Sequence, residues 1–383
     1  GYALTTSQVA ALETTDIAVL ASADVRVWGS DQIAALSTAQ ILALVSTQFA
    51  GLGTANAAAL TTLQVAAIET NDLVVLSSAN LRALSSAQIA ALTTDQVLAL
   101  TTVQIAGLSS ANAYALTTAQ IAALETTDLQ SFTTANLVVL STEQIVALTT
   151  VQVQALRTTQ VLNLATVQVA AMTTDQIVAL GVAQAGVLGT AQVQALTTVQ
   201  LVAMQTEDVA ALSTAAVRAL GTVQVLALST DQIVALTTAQ IVGMSTTQIA
   251  AWSTDQVVAL STNQAASLSS SNVYALTTAQ LVAMETADVL ALSTANIQAL
   301  ATTQVAAVLT AQVQALSTAQ IVSLTNTQVV ALNTDQIVAL LTRQVAALST
   351  ANVYALTTVE VAALETEDPV SYTHLRAHET LRY

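Results

Sequence analysis

Apolar residues recur along the chain at a fixed spacing of eight: Leu4, Leu12, Leu20, Trp28, Leu36, Leu44 and Leu52 open a register that runs on to Leu364. Residues 5–364 are therefore 45 uninterrupted octads, typified by TTDQIVAL (173–180), STDQIVAL (229–236) and STAQILAL (37–44). Position two is Ser or Thr in every octad but those with Val182 and Asn326, positions five and eight are always apolar, and position seven is nearly always small. Positions three and six vary most, holding residues as different as Asp231, Arg343, Arg82, Gln154 and Tyr274, which marks them as the solvent side.

One continuous helix cannot carry this pattern, because eight residues over two turns is 4.0 per turn and an apolar seam would drift off a 3.6-residue helix. A β-solenoid needs turn residues, and 10 Gly with 1 Pro cannot serve 45 corners. Abundant Ala favours helix. The positive signal is a capping box with a hydrophobic staple: Met172 precedes Thr173, Gln176 follows three residues later, and Ile177 comes next. Each octad thus predicts its own helix of about one and a half turns followed by a bend. Position one or position two can serve as the cap, since both carry hydroxyls. Helices this short do not stand alone, so positions five and eight must be buried against neighbouring octads. The expected fold class is an all-α solenoid of very short helices, one per octad, over residues 1–368.

A slower period lies on top of the octads. Acidic units begin at Glu13, Glu69, Glu125, Gln205, Glu285 and Glu365, at spacings of seven, seven, ten, ten and ten octads. Seven and ten differ by three, which suggests that three octads form a unit that can be inserted without disturbing the stack. Tyrosine units (109–116, 269–276, 349–356) lie two octads ahead of several acidic ones.

Composition narrows the chemistry. The chain has no Cys, no Lys, 7 Arg and a net charge of -16. Disulfides, thiolate metal sites and cysteine nucleophiles are excluded, and with no basic patch to neutralise phosphates, no nucleic-acid partner is expected. No apolar run reaches the length of a membrane span, so no membrane insertion is expected. Both His residues, His374 and His378, fall after the octads. The octads therefore lack the usual acids, bases and activated nucleophiles, and no enzyme activity, catalytic residue or cofactor is expected. The carboxylate pairs Glu13/Asp16, Glu69/Asp72, Glu125/Asp128 and Glu285/Asp288 are read first as helix-start residues, with Asp replacing Gln as capping partner and both charges favoured by the helix dipole. Calcium is the lesser reading, because it takes six to eight oxygens and each pair supplies few.

The consensus Leu-Thr-x-x-Gln-[Val/Ile]-x-Ala-Leu resembles repeats of very large bacterial surface and secreted proteins of the adhesin or haemagglutinin type, over residues 3–368. The unit TTDQIVAL also looks like the first helix of the DNA-binding repeats of plant-pathogen effectors, but the base-reading loop and Gly-rich turn are absent and the charge has the wrong sign. After Asp368 the octad rule stops, and Val370–Thr380 (VSYTHLRAHET) resembles a translated transposon-end sequencing adapter. That resemblance implies a gene fragment truncated at both ends, with residues 369–383 a non-native tail. The expected function is a structural spacer or adhesive stalk at a bacterial cell surface or outside the cell, facing a surface or matrix ligand that the sequence does not name. The alternatives are an extended peptide- or glycan-binding module, and adsorption to ice or mineral through the regular Thr array.

Overall fold

The computed structural model describes residues 4–367, so the tail at 369–383 lies outside the described residues. Every octad from Thr5 onward forms one helix, from Thr6–Ala10 to Thr358–Glu367, and no strand occurs among the described residues. The protein is an all-α solenoid. It divides into two compact units, Gly1–Val187 and Leu188–Tyr383, each built in the same way.

The helix begins at position two and position one is the cap. Thr173 is extended (φ -73, ψ 162), and its Oγ1 accepts the Gln176 N–H at 3.2 Å. Corners need no glycine, because none of the described residues has a positive φ. Position eight and the next position one are instead both extended, as in Leu156 (φ -57, ψ 136) and Arg157 (φ -68, ψ 149). Two consecutive extended residues turn the chain while leaving both side chains L-compatible, which is how a helical coil with so little Gly closes its bends.

Within each unit every helix packs on the helix three octads later. Thr102–Ala106, Thr126–Ser131 and Thr150–Ala155 form one such stack in the first unit, and Thr206–Ala211, Thr230–Ala235 and Thr254–Val258 another in the second. One coil is therefore three octads, the size of the insertion step suggested by the seven- and ten-octad spacings. Position five is fully enclosed, as at Ile121, Leu129 and Ile241, and position eight nearly so, as at Leu124 and Leu236. These two residues per octad are the core, and burial of each is worth about 1.5–3 kcal/mol.

Position seven is small because it lies over position two of the octad one coil earlier. A Cβ on Gly243 would come within 2.3 Å of Thr214 Cγ2, and one on Gly107 within 2.7 Å of Ser78 Cβ. At these two sites the facing side chain occupies the space that a Cβ would take, so a larger residue would have to displace it. The second unit encloses a cavity of about 20 Å³ lined by Leu292, Val305, Val308, Val313 and Leu316. Its wall is almost wholly apolar, so it offers water or a polar ligand no partners.

Candidate functional site: the position-four clamp

Position four carries the repeated polar chemistry of the fold. Gln176 Oε1 accepts the backbone N–H of Thr173 at 2.9 Å, completing the capping box. Its Nε2 donates to Leu148 O at 2.7 Å and Ile145 O at 2.8 Å. Those carbonyls end the helix Thr142–Ala147, just before the chain turns into Thr150–Ala155, on which the Gln176 helix packs. One buried amide thus satisfies the start of its own helix and the orphan carbonyls at a helix end one coil away. The second unit repeats the arrangement, with Gln264 donating to Ile233 O (2.8 Å) and Leu236 O (2.7 Å). The cap is visible within the octad itself, but the reach to carbonyls 28 and 31 positions earlier is not.

Where position four is Asn, the shorter side chain makes only the nearer bond. Asn80 Nδ2 donates to Leu52 O, Asn112 to Leu84 O and Asn296 to Leu268 O, each at 2.9 Å and each 28 residues back. Where it is Ala216, no side-chain bond is possible, although Ser213 still accepts the Ala216 N–H.

The acidic octads differ from both. Asp72, Asp128, Asp208 and Asp288 are buried like the Gln residues they replace, yet an ionised carboxylate has no proton to donate to the carbonyls. Asp72 Oδ1 instead accepts the Ser46 hydroxyl at 2.5 Å, and Thr102 and Thr262 serve Asp128 and Asp288 in the same way. Asp208 Oδ2 is buried with no partner. Burial is the main cause that raises the Asp128 carboxyl above its ordinary range, and Glu125 adds to it. Burial likewise dominates at Asp288 and Asp208, with added repulsion from Glu285 and Glu207 respectively. Glu13, Glu69, Glu125 and Glu285 occupy the N-cap position at the start of their helices, without a side-chain cap bond. Their carboxylates are two bonds too long to fold back as a Ser or Thr hydroxyl does. Asp16, on the first described coil, is exposed rather than buried.

The acidic octads do not line one face. Each spacing is a whole number of three-octad coils plus one octad, so within the first unit the helices at Thr14–Val19, Thr70–Leu73 and Thr126–Ser131 fall in three different stacks. Among the described residues no group of three or more His, Asp or Glu converges as a metal site would require. The tyrosines Tyr114 and Tyr274 project outward, each 62% exposed, so they contribute to the surface rather than the core. Among the described residues no helix is long and apolar enough to cross a membrane.

The geometry defines a class of protein, a helical solenoid whose three-octad coils are fastened by a buried position-four amide. Eight segments match the ALTTAQ repeat, at residues 9–46, 65–102, 121–158, 161–198, 201–238, 235–270, 281–318 and 310–342. They cover most of the chain, which belongs to the ALTTAQ-repeat family. No curated protein matches it.

Proposed function

We propose that this chain is a structural spacer, a length of stalk in a large bacterial surface or secreted protein of the adhesin type. The observation that carries the reading is the clamp itself. In most octads the strongest polar group is spent on the neighbouring coil, and the cap hydroxyl, as at Thr173, is spent on its own helix. Of the outward positions, two keeps its hydroxyl while three and six vary from coil to coil. The role needs no catalytic group and no cofactor, in keeping with an octad region that has no His, Cys or Lys. An extracellular or cell-surface location belongs to the same proposal.

A whole-coil deletion tests it. Removing residues 229–252, one coil, from the parent protein on its host cell shortens a spacer while leaving attachment chemistry intact. Loss of all ligand binding on that deletion would contradict a spacer.

The second reading, an extended binding module, is favoured by one row. In the stack that runs from Thr206–Ala211 to Thr350–Ala355, position six is Ala210, Val234, Val258, Val282, Ala306, Val330 and Tyr354, without a charged interruption. Val234→Asp with Val258→Asp would abolish recognition along this row and leave a spacer working.

A further inference from the structure

The buried aspartates occupy a position where Gln and Asn donate to the preceding coil. Asn is the isostere of a protonated Asp in size and in placing one donor at the δ position, and Asn at position four reaches the carbonyl 28 residues earlier wherever its bond is described, as in Asn136 to Leu108 O at 3.0 Å. The equivalent carbonyls for Asp128 and Asp288 are Leu100 O and Leu260 O. We propose that Asp128 and Asp288 are acid-set fasteners between coils: protonated, each donates its carboxyl O–H to that carbonyl as Asn does, and ionised, each leaves the seam without its clamp.

The surroundings supply the bias. Asp128 and Asp288 are 3% and 2% exposed, so the charged form is held out of water. The helix Thr126–Ser131 packs on Thr102–Ala106 and Thr150–Ala155, and neither carries a charged residue. Arg157 meets this helix at its other end, where the guanidinium donates to Phe132 O. The charged group beside Asp128 is therefore Glu125 of its own octad, which opposes a second negative charge. The helix Thr286–Ala291 packs on Thr262–Ser267 and Thr310–Ala315, again without charges, and Glu285 plays the part of Glu125. Carboxyl protonation draws the proton from solvent, and the Thr102 and Thr262 hydroxyls, which donate to the ionised forms, can still donate to the other oxygen. Acid thus closes these seams and neutral pH loosens them, at intervals set by the acidic spacing.

Amide hydrogen exchange on the full chain, corrected for the chemical exchange rate, tests this by comparing about pH 3.5, below the ordinary carboxylate value, with about pH 7. At the higher pH, residues 97–104 and 125–132 should open about fivefold more than the Gln-clamped octads at 141–156, the factor expected for one lost hydrogen bond. At the lower pH the difference should vanish. Asp128→Asn with Asp288→Asn, residues the fold already accepts at position four, should remove it at both. Equal protection at the two pH values, or a pH effect that survives in the double Asn variant, overturns the proposal. Restored protection on adding calcium chloride at neutral pH would overturn it as well, by making the carboxylates cation ligands.

Discussion

Gln176 and Leu148 are 28 residues apart in the chain and joined by a 2.7 Å bond from the Gln176 amide to the Leu148 carbonyl. The same amide closes the helix start at Thr173. Cap and coil contact are therefore one group, and loss of that group strands acceptors on two elements.

Gln176→Ala should destabilise the first unit by about 2–4 kcal/mol, the cost of two to three hydrogen bonds with buried carbonyls left unpaired. Gln176→Asn should cost less than half of that, because Asn keeps the bond to the nearer carbonyl, as Asn112 does with Leu84. Gln154→Ala, on the exposed position six of a neighbouring octad, should stay within about 0.5 kcal/mol. Guanidinium denaturation followed by circular dichroism orders the three, and an equal effect of Gln154→Ala and Gln176→Ala would refute the clamp.

Thr173→Ala removes the cap hydroxyl and should cost about 1 kcal/mol. Thr174→Ala touches the first helical residue and should cost little. Reversal of this order in thermal melts would move the cap to position two.

Gly243→Ala should destabilise by about 1–3 kcal/mol through overpacking, against the roughly 1 kcal/mol that helix propensity alone would return. The clash partner is the Thr214 methyl group, so Thr214→Ser should rescue Gly243→Ala while doing little by itself. Additive losses in the double variant would show that the two residues do not meet.

Asp208 gives a stability effect with a definite sign. Burial, then Glu207, raises its folded carboxyl above the unfolded value, while the Gln205 N–H opposes the shift. The folded state therefore binds the proton more tightly, and the associated stability is fully present below the ordinary carboxylate pKa of about 3.9 and is lost as pH rises through the raised folded value. Asp208→Asn should accordingly raise the melting temperature at neutral pH and do nothing for it in acid. A gain of equal size at both pH values would show that titration is not its source.

The octad, the helix and the cap were legible because they are local: Thr173, Gln176 and Ile177 lie within one octad, and their spacing names the motif. The cap position itself was not, since Thr173 and Thr174 carry the same hydroxyl and only the backbone distinguishes them. The clamp was hidden for a different reason. Gln176 is fully explained by its own helix, so nothing in the sequence asks what its amide nitrogen does, and a three-octad coil made of near-identical octads leaves no separate periodic trace. The one trace it did leave is the difference between spacings of seven and ten octads. Burial of Asp128 was missed because a carboxylate at a helix start is ordinarily a solvated, dipole-favoured residue. Here the coil packed against that helix start shuts the water out.

Because the extended corner at Leu156 and Arg157 asks for no special residue, and within each unit each helix packs on the helix three octads along, whole octads can be gained or lost without inventing a new joint. Chain length then becomes a heritable variable independent of foldability. Close relatives of this chain should carry ALTTAQ tracts differing by whole octads, and most often by three at a time, since that step returns every outward side chain to the face it held before.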